Sequence, residues 1–510
     1  MSGPRELLLG LDVGTTATKA RAFDLEGHVV AGATRAYDLL TPQPGWVEQN
    51  PEELWSAIVQ TVREVTTRIS PHDHIVALSQ ASQGGTTIPV DAAGAPVHNA
   101  ISWMDRRAAT LSERTAKAFG TDYVQTTTGW PLSGALSLHH IAWLREHRPG
   151  VFSIAKRFLF INDFITHGLT GEAVMNPSDG TMTQLLDIEQ AEWDPQLLDY
   201  AGIDRAQLSE VRPSGEVIGT VLPETARLLG LPDGVVVVNG AHDQYCAAIG
   251  TGVTIPGEIL LSCGTAWVVL AVPDSLAAGR SSGIALSCHA IQGRWGGIRS
   301  LGGIGTSLEW LVNQVWCDDA SNDRADRYQA LNTAAAGVPA GSRGLAFVPL
   351  SGGHQAGREG GGFLHLTLAH TRDEMSRAVM EGITYELRRA LEEIRQGGIT
   401  VDRLTMVGGA AESPIWPQIV ADVTGLPVIV PQERQAAAAG AAILAGVGIG
   451  RFAGPEEGFA AFRGNASELA PNPGDRSVYD LAYRDYHRLC NRLAEFSTST
   501  EEGTLWRNPR

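Results

Sequence analysis

Apolar residues form a run in each half of the chain, and each run continues through a Gly-Thr turn into a second apolar run. The first segment is LLLGLDVGTTATKARAFD, residues 7–24, and the second is GEILLSCGTAWVVLAV, residues 257–272. Such runs, bounded by turn residues, predict buried β-strands. The pattern therefore predicts one strand–turn–strand unit in each half.

The rest of the first half predicts further strands and one clear helix. HVVAGATRAY, residues 28–37, predicts a third strand, so the chain opens as an antiparallel meander and not as a Rossmann unit. Residues 51–68 carry apolar side chains at helical spacing, with Pro51 at a favourable first position. Residues 74–91 predict a strand, a polar loop and another strand, and a helix-rich stretch follows.

Four consecutive valines, Val235 to Val238, predict a strand that is covered on both faces, and a helix of small residues follows. Residues 251–257 contain glycine and proline and predict a connector. We therefore expect an N-terminal domain of residues 1–253, a C-terminal domain of residues 254–480 and a polar tail of residues 481–510.

The C-terminal domain has its own order of predicted elements. A helix is predicted from 302–315, a strand ending in a glycine loop from 344–353, and a long amphipathic helix over 372–396. A strand, a double-glycine loop and a helix are predicted over 404–425, and a small-residue helix over 436–450.

The net charge of −17 disfavours nucleic acid and anionic membranes as partners. The start of the chain shows no signal peptide, and no apolar stretch reaches the roughly 18 residues of a membrane helix. The five cysteines lack metal-site spacing and predict reduced thiols in a cytoplasmic protein: Cys246, Cys263, Cys288, Cys317 and Cys490.

The first Gly-Thr turn has the chemistry of a phosphate site. Asp12 ends a buried strand and could hold Mg²⁺ through water, while Thr15, Thr16 and Lys19 could contact phosphate oxygens. The GxxxxGK[ST] pattern of a P-loop is absent here. An ordinary hairpin with a structural aspartate is the alternative. The second copy, at residues 262–265, favours the phosphate interpretation.

Asp243 follows the valine strand and opens a helix, so its carboxylate should face a cleft. A carboxylate there could accept the proton of an alcohol that is being phosphorylated. The alternative is an N-cap aspartate without chemistry, since capping is the commonest role at such a position. The two roles are compatible.

Three further groups of residues are weaker candidates. Gly408 and Gly409 could let a flat ring lie against backbone, although double glycine is also a common structural turn. The loops at residues 82–87 and 102–107 could bind a sugar or could be plain surface; their candidate residues are Gln83, Trp103, Asp105 and Arg106. Three histidines lack partners at metal spacing and predict core or surface positions: His139, His140 and His289.

Taken together, these motifs resemble the FGGY family of carbohydrate kinases from Leu7 to about Gly450. The ordered matches are GLDVGTTATK, PGWVEQNPEELW, ISWMDRRA, TGWPLS, LTGE, GAHDQ, GEILLSCGTA, GLAFVPLSGG, RAVMEGITYEL and VGGAAES. The resemblance implies an α/β fold of two ribonuclease-H-like (actin-type) domains flanking a cleft. It also implies ATP, Mg²⁺ and in-line transfer of the γ-phosphate to a sugar hydroxyl. Closure of the domains would exclude water.

The resemblance assigns roles residue by residue. Asp243 matches the catalytic aspartate, and Asp12 and Asp243 are the expected metal ligands. The expected nucleotide-binding residues are Asp12, Gly14, Thr15, Thr16, Lys19, Gly264, Thr265, Gly305, Glu309, Gly408, Gly409 and Ser413. The expected substrate-binding residues are Gln83, Gly84, Gly85, Trp103, Asp105, His242, Asp243 and Gln244.

The chain departs from glycerol kinase at three positions. Gly84 and Gly85 stand at its Arg-Glu pair, and Ala135 stands at the tyrosine that walls its glycerol site. These changes predict a larger pocket of different polarity and disfavour glycerol. The Met-His-Gly segment of xylulokinases is not reproduced either.

We therefore expect an ATP-dependent kinase for a ketopentose (xylulose-like) or a related sugar or sugar alcohol, with a homodimer as the expected assembly. The alternatives are glycerol kinase and an actin-type ATPase switch without a sugar acceptor.

Overall fold

The computed structural model describes residues 4–316, 324–351, 361–432 and 435–498. Cys317 and the end of the predicted glycine loop at 352–353 therefore lie outside the described residues. The strands of the first half are β1 Glu6–Val13, β2 Ala17–Phe23, β3 Val29–Ala36, β4 Glu48–Gln49, β5 His74–Ser82, β6 Thr87–Val90, β7 Ala100–Ile101, β8 Arg157–Phe160, β9 Val174–Met175, β10 Leu186–Asp187, β11 Glu192–Trp193, β12 Glu210–Val211, β13 Val217–Thr220 and β14 Val236–His242.

The helices of the first half are α1 Pro51–Arg68, α2 Ala109–Phe119, α3 Thr121–Thr128, α4 Ser137–His147, α5 Pro149–Ile154, α6 Ile161–Thr170, α7 Pro177–Met182, α8 Pro195–Ala201, α9 Pro223–Leu229 and α10 Asp243–Thr251. Helix α1 has the bounds that the sequence predicts, and the Asn50 side chain caps it by accepting from the N–H of Glu52.

The strands of the second half are β15 Gly257–Cys263, β16 Trp267–Ala271, β17 Ala285–Cys288, β18 Trp295–Ser300, β19 Ala346–Val348, β20 Gly362–Leu364, β21 Val401–Val407, β22 Val428–Pro431 and β23 Ala466–Leu469. The helices are α11 Leu276–Ser281, α12 Thr306–Gln314, α13 Arg324–Ala336, α14 Arg372–Gln396, α15 Trp416–Thr424, α16 Ala436–Gly448, α17 Pro455–Phe462 and α18 Pro473–Thr498. Short 3₁₀ turns occupy Arg205–Gln207, Ser342–Gly344 and Gly409–Glu412.

Two large sheets that share a five-stranded arrangement organise the chain. The first has the strand order β13-β14-β5-β1-β2-β3, and the second has the order β17-β18-β16-β15-β21-β22-β23. Each contains a three-stranded antiparallel meander, β1-β2-β3 or β15-β16-β18. Two parallel strands extend each meander, β5 and β14 in the first sheet and β21 and β22 in the second. The duplication therefore extends from the predicted strand–turn–strand unit to five strands of each sheet, and the predicted fold class is confirmed.

Helices α10 and α16 occupy equivalent positions after β14 and β22, and they pack against each other between the two sheets. Their contact depends on glycine, because a Cβ on Gly440 would overlap the carbonyl of Cys246 and one on Gly250 would overlap that of Ala436. Helix α16 also packs against β1, where a Cβ on Gly10 would overlap the Ala438 carbonyl. The second half thus supplies a helix that covers the sheet of the first.

A smaller sheet, in the order β4-β7-β6-β8, carries the loops of the predicted sugar site. Helices α2, α4 and α8 pack beside it around a separate apolar cluster. His139 and His140 belong to this region as the sequence predicts: both are buried, and their rings lie within hydrogen-bond distance of the hydroxyls of Thr115 and Thr87.

The expected polar tail of residues 481–510 is wrong for residues 481–498, because these residues continue helix α18. The helix packs against α14 and α15 through the buried tyrosines Tyr479, Tyr483 and Tyr486. Tyrosines at helical spacing bury their rings and keep a hydroxyl for a polar partner; Tyr479 and Tyr486 donate to Glu381 and Glu386. Residues 499–510 lie outside the described residues.

Candidate active site

Asp12 lies at the carboxyl end of β1 and is almost completely buried. Burial raises the pKa of its carboxyl group, because a charge is costly to remove from water. The ammonium group of Lys19, 2.9 Å away across the hairpin, opposes that shift. The negative charge of Asp243 raises the pKa further.

The first Gly-Thr turn has a different donor set from the one that the sequence suggests. The N–H of Gly14 donates to the Ala17 carbonyl at 3.0 Å, inside the hairpin, and is therefore used. The Gly14 carbonyl accepts from the Tyr37 hydroxyl and from the Gln83 amide. Thr16 is exposed and Thr15 half-buried, so the two threonines are the residues that this turn offers to a ligand.

The second turn repeats this arrangement. The N–H of Gly264 donates to the Ala266 carbonyl at 3.2 Å, and Gly264 and Thr265 are exposed. Gly305, at the start of α12, lies so close that a Cβ there would overlap the Gly264 carbonyl. Because Gly305 has no side chain, the start of α12 can approach the turn, and this close packing accounts for glycine at position 305.

A cavity of about 760 Å³ opens beside the second turn. Among the residues that line it are six of the expected nucleotide-binding residues: Gly264, Thr265, Gly305, Glu309, Gly409 and Ser413. Trp267, Tyr328 and Trp416 give it apolar walls. The structure therefore brings together residues that are far apart in the sequence, in a space large enough for a nucleotide.

Gly408 directly precedes the lining residue Gly409 and is not itself among the lining residues. Its φ is +93°, and a Cβ there would lie 2.7 Å from the Cys263 carbonyl oxygen. Positive φ and close backbone contact both require glycine. Nearby, the Ser413 hydroxyl donates to Asn332 at 2.6 Å, and Glu309 pairs with Arg324 at 3.0 Å.

Asp243 lies beside Asp12 because of strand register. Asp12 on β1 and Ala241 on β14 both pair with Ala81 of the strand between them, β5. Strands in a sheet are spaced by about 4.8 Å, so the two outer strands end about 10 Å apart at the same edge. The Asp243 side chain is 28% exposed and is therefore accessible to solvent.

The N-capping alternative for Asp243 is wrong. His242 holds the N-cap position of α10, and its side chain makes no capping hydrogen bond. Its Nε2 lies 3.4 Å from Asp243 Oδ1, while burial lowers the pKa of the imidazole and keeps it neutral. The His242 ring therefore lies next to the Asp243 carboxylate, and the Asp243 side chain stays partly exposed.

Gln244 connects the two halves. Its Oε1 accepts a 3.0 Å hydrogen bond from the hydroxyl of Ser262, on the strand that leads into the second turn. The residue after Asp243 is therefore bonded to the unit that carries Gly264 and Thr265.

Among the expected sugar residues, Gly84 lies against His242, Gly85 lies against Trp103, and the Gln83 amide donates to the Gly14 carbonyl and to Gln49. A Cβ on Gly84 would overlap the sulfur of Met182 and lie 3.0 Å from the His242 ring. Gly85 has φ +71° and lies against Leu136 and Trp103. Trp103 is 42% exposed, and its indole N–H donates to the Thr15 hydroxyl at 3.1 Å.

Asp105 is not a direct sugar ligand in this structure, and that expectation is corrected. Its carboxylate is fully buried, pairs with Arg107 at 2.8 Å and accepts from the Val47 N–H at 2.6 Å. Arg107 also pairs with Glu48 and lies over the Trp46 ring. Asp105 therefore fixes the loop that presents Trp103. Arg106 on the same loop is exposed.

Sequence reasoning missed helix α7, which lies directly behind His242. The N–H of His242 donates to the Ser178 hydroxyl at 3.0 Å, and Met182 of this helix borders Gly84. The buried Asp179 accepts from Asn176 and Ser82. Burial, and to a smaller extent the charge of Asp243, raise its carboxyl pKa well above the usual value. The Asn-Pro helix start at residues 176–177 is the one local signal that could have indicated this helix.

The chain matches a known protein family over most of its length. Residues 7–250 match the N-terminal domain of the FGGY family of carbohydrate kinases, and residues 259–449 match its C-terminal domain. In the described part of the chain, no helix is long and apolar enough to cross a bilayer.

Three similar proteins are representative. A gluconokinase of Bacillus subtilis (strain 168) is 31% identical over 450 residues, with 86% of each chain covered. A xylulose kinase of Staphylococcus epidermidis (strain ATCC 12228) is 29% identical, with 97% of this chain and 98% of the relative covered. The crystal structure of a gluconate kinase from Lactobacillus acidophilus superposes with a TM-score of 0.86 at 25% identity, covering 96% of this chain and 98% of that one. The chain belongs to the FGGY family of carbohydrate kinases, which are ATP-dependent phosphotransferases.

Proposed function

We propose that this protein transfers the γ-phosphate of ATP to a hydroxyl of a ketopentose (xylulose-like) or a related neutral sugar. Asp243 acts as the general base, Thr15, Thr16, Lys19 and Thr265 contact the phosphates, and the cavity beside Gly409 holds the adenosine. The observation that carries this proposal is the strand register, which brings Asp12 and the start of the Asp243 helix to one edge of the sheet while the Asp243 side chain remains 28% exposed.

The proposed reaction follows from this arrangement. The sugar oxygen attacks the γ-phosphorus, the bond from that phosphorus to the ADP oxygen breaks, and the hydroxyl proton passes to the Asp243 carboxylate. Cationic and hydroxyl donors on the turns stabilise the charge on the transferring group. Asp243 needs access and correct placement, and its helix start next to the buried His242 supplies both.

A divalent cation, which we propose to be Mg²⁺, fits the donors at this edge of the sheet. Asp12 and Asp243 provide carboxylate oxygens, the ligands that hard cations prefer. The mutual repulsion of these two carboxylates is the feature that a bound cation would relieve. The ion would neutralise phosphate charge, while Lys19 orients Asp12.

The substrate class follows from the residues around Gly84. The neighbours of a side chain at this position are the Met182 thioether and the neutral His242 ring, and the next glycine faces Leu136 and Trp103. These groups favour an uncharged sugar over an aldonate, whose carboxylate would need a cation.

An aldonate is nevertheless the second candidate substrate, because one relative at 31% identity is named gluconokinase. Arg106 is exposed on the loop of Trp103 and is the cation that could receive a carboxylate there. Arg106→Gln separates the candidates. It should leave turnover of D-xylulose unchanged and abolish turnover of D-gluconate if gluconate is the substrate.

The central test measures ADP release with D-xylulose, D-gluconate, glycerol and no acceptor, for the natural sequence and for Asp243→Asn. We expect one sugar to stimulate ADP release, and Asp243→Asn to reduce that rate by at least about 1,000-fold while ATP still binds. Asp233→Asn, an exposed aspartate of the same half, is the matched control and should have full activity. An active Asp243→Asn protein would refute the base assignment. Equal ADP release with and without sugar would favour the ATPase switch.

A further inference from the structure

A second cavity, of about 340 Å³, lies between the two halves and apart from the nucleotide cavity. Arg212 and Ser214 of the first half line it, and His289, Arg294 and Trp295 of the second half face them. Within the described part of the chain, it shares no lining residue with the nucleotide cavity. It also contains none of the residues that we assign to sugar or phosphate.

His289 presents an unused hydrogen-bond donor at this cavity. The side chain is buried, and its Nδ1 accepts from the N–H of Ile291 at 3.0 Å. Burial lowers the pKa of the ring to about 3, so the ring is neutral and its one proton lies on Nε2. Among the described residues, Nε2 has no hydrogen-bond partner.

Ser214 provides a second unused group. Its Oγ is buried, and it too has no partner among the described residues. Leaving a buried polar atom unpaired is unfavourable, and such atoms are rare in native proteins unless water or a ligand satisfies them. Two of these unpaired atoms belong to residues that line one cavity, one from each half.

The charged residues indicate an anion. Arg212 bonds to Glu216 at 2.8 Å, and Arg294 bonds to the Thr254 carbonyl at 2.7 Å and to Glu456 at 2.8 Å. A guanidinium group has five N–H donors, so these bonds leave donors on both arginines. Glu189 is the one acidic residue among the described lining residues, and it is paired with Arg280.

The remaining lining residues suit a polyhydroxylated molecule. The half-buried ring of Trp295 offers a flat apolar face, and the side-chain amides of Gln190 and Gln292 offer donors and acceptors. Together with the two arginines, they match a small molecule that has hydroxyls and one anionic group.

Two successive ring contacts, one T-shaped and one tilted, connect this cavity to the residue next to the candidate base. The His289 ring lies 5.3 Å from that of Tyr245, and the Tyr245 ring lies 5.9 Å from that of His242, centroid to centroid. Tyr245 follows Asp243 by two residues on α10, and its hydroxyl donates to the Gly296 carbonyl of the other half at 3.1 Å. A ligand against His289 would therefore contact a ring that packs against Tyr245 on α10, the helix that begins at Asp243.

We propose that this cavity is a regulatory site for a small polyhydroxylated anion, either a sugar acid or a phosphorylated sugar. The anion lies between Arg212 and Arg294, and its hydroxyls pair with Ser214 and His289. Because the ligand contacts both halves, it stabilises one relative arrangement of them and thereby changes nucleotide affinity. This inference does not depend on which sugar the catalytic cleft phosphorylates.

The test is calorimetric titration of the full chain with four probes: D-gluconate, D-glucose 6-phosphate, inorganic phosphate and D-glucose. We expect D-glucose 6-phosphate, which is already phosphorylated and is not a candidate substrate of the cleft, to bind with a stoichiometry of one and to change the affinity for ATP by about 5-fold or more. Arg294→Gln and Ser214→Phe should each weaken this binding at least 10-fold, and the second variant tests the site without removing the Arg294–Glu456 pair.

Two controls distinguish this cavity from the catalytic cleft. Arg451→Gln removes a surface arginine that also pairs with a glutamate, Glu6, and should leave binding unchanged. Trp103→Ala should also leave binding of the anion unchanged, because Trp103 belongs to the cleft and not to this cavity. Binding that disappears in Trp103→Ala but survives in Arg294→Gln would overturn the proposal. Failure of both anions to bind, or equal binding of inorganic phosphate, would also overturn it.

Discussion

The indole N–H of Trp103 donates a 3.1 Å hydrogen bond to the hydroxyl of Thr15. This bond connects the proposed sugar loop directly to the first phosphate turn, across residues that are far apart in the sequence. An aromatic side chain that is 42% exposed can contact a sugar with its face while its edge holds the threonine. The two proposed subsites are therefore physically coupled before any ligand binds.

Trp103→Phe and Thr15→Val should each raise the KM for sugar and for ATP, because each change removes the bond between the subsites. A hydrogen bond of this kind contributes about 1 kcal/mol, or roughly 5-fold in affinity. A double-mutant cycle on the KM values checks the coupling. Strictly additive effects of the two variants would contradict it.

Lys19→Met should shift the acidic limb of the pH–activity profile to higher pH. Burial already raises the pKa of Asp12, and Lys19 opposes this shift by stabilising the ionised carboxylate. Without the cation the pKa rises further, so Asp12 stays protonated and inactive up to a higher pH. Profiles of kcat/KM against pH measure the shift.

Lys19→Arg retains the positive charge and should keep the limb near its original position. Lys117→Met, which removes an exposed lysine of α2, is the control and should have no effect. An acidic limb that is the same with Met, Arg and Lys at position 19 would show that Asp12 does not set it.

Gly84→Ala should raise the KM for sugar while leaving the KM for ATP unchanged. The added methyl group would displace the Met182 side chain and approach the His242 ring, both of which face the proposed sugar. Overpacking of this kind costs about 1–3 kcal/mol, equivalent to roughly 5- to 150-fold in KM. Gly464→Ala, where an added Cβ meets nothing within 4 Å, is the matched control.

Combining Gly84→Ala with Met182→Ala should restore much of the sugar affinity, because the second change removes the group that the methyl displaces. Steady-state kinetics on the single and double variants check this. No recovery in the double variant would place the effect of Gly84 elsewhere.

Gly440→Ala should strongly destabilise the protein. The new methyl group would overlap the Cys246 carbonyl, so helices α10 and α16 would have to separate. We expect a loss of about 3 kcal/mol in the free energy of unfolding, measured by urea denaturation. Gly150→Ala on the short helix α5 should be neutral or slightly stabilising, since a Cβ there has open space and alanine favours helix. Equal stability of both variants would contradict the close helix contact.

Local sequence patterns predicted many of the regular elements near the site. The apolar runs around Asp12 and Gly264 form the predicted hairpins, residues 51–68 form the predicted helix, and Asp243 begins a helix after the valine strand. These elements follow from apolar periodicity and turn residues, which neighbouring positions encode. The expectation of a polar tail is wrong for residues 481–498, because the tyrosines of α18 bury their rings and pair their hydroxyls with glutamates of α14.

Loop side chains near the site depended on the tertiary structure. Trp103 and Asp105 are two residues apart in one polar loop, yet Trp103 faces the cleft and Asp105 is buried against Arg107. No periodicity distinguishes them, because the partners of Asp105 come from other parts of the chain.

Contiguous residues are enough to identify the family, the paired Gly-Thr turns and the candidate base Asp243. The fold was needed to show that Asp12 and the Asp243 helix start lie at one sheet edge, on either side of β5, and that helix α7 supports His242. It alone assembled the cavity that contains His289 and Ser214 from both halves. The physical reason is that strand register and helix packing join residues from distant segments, whereas a sequence pattern reports only which side of its own element is buried.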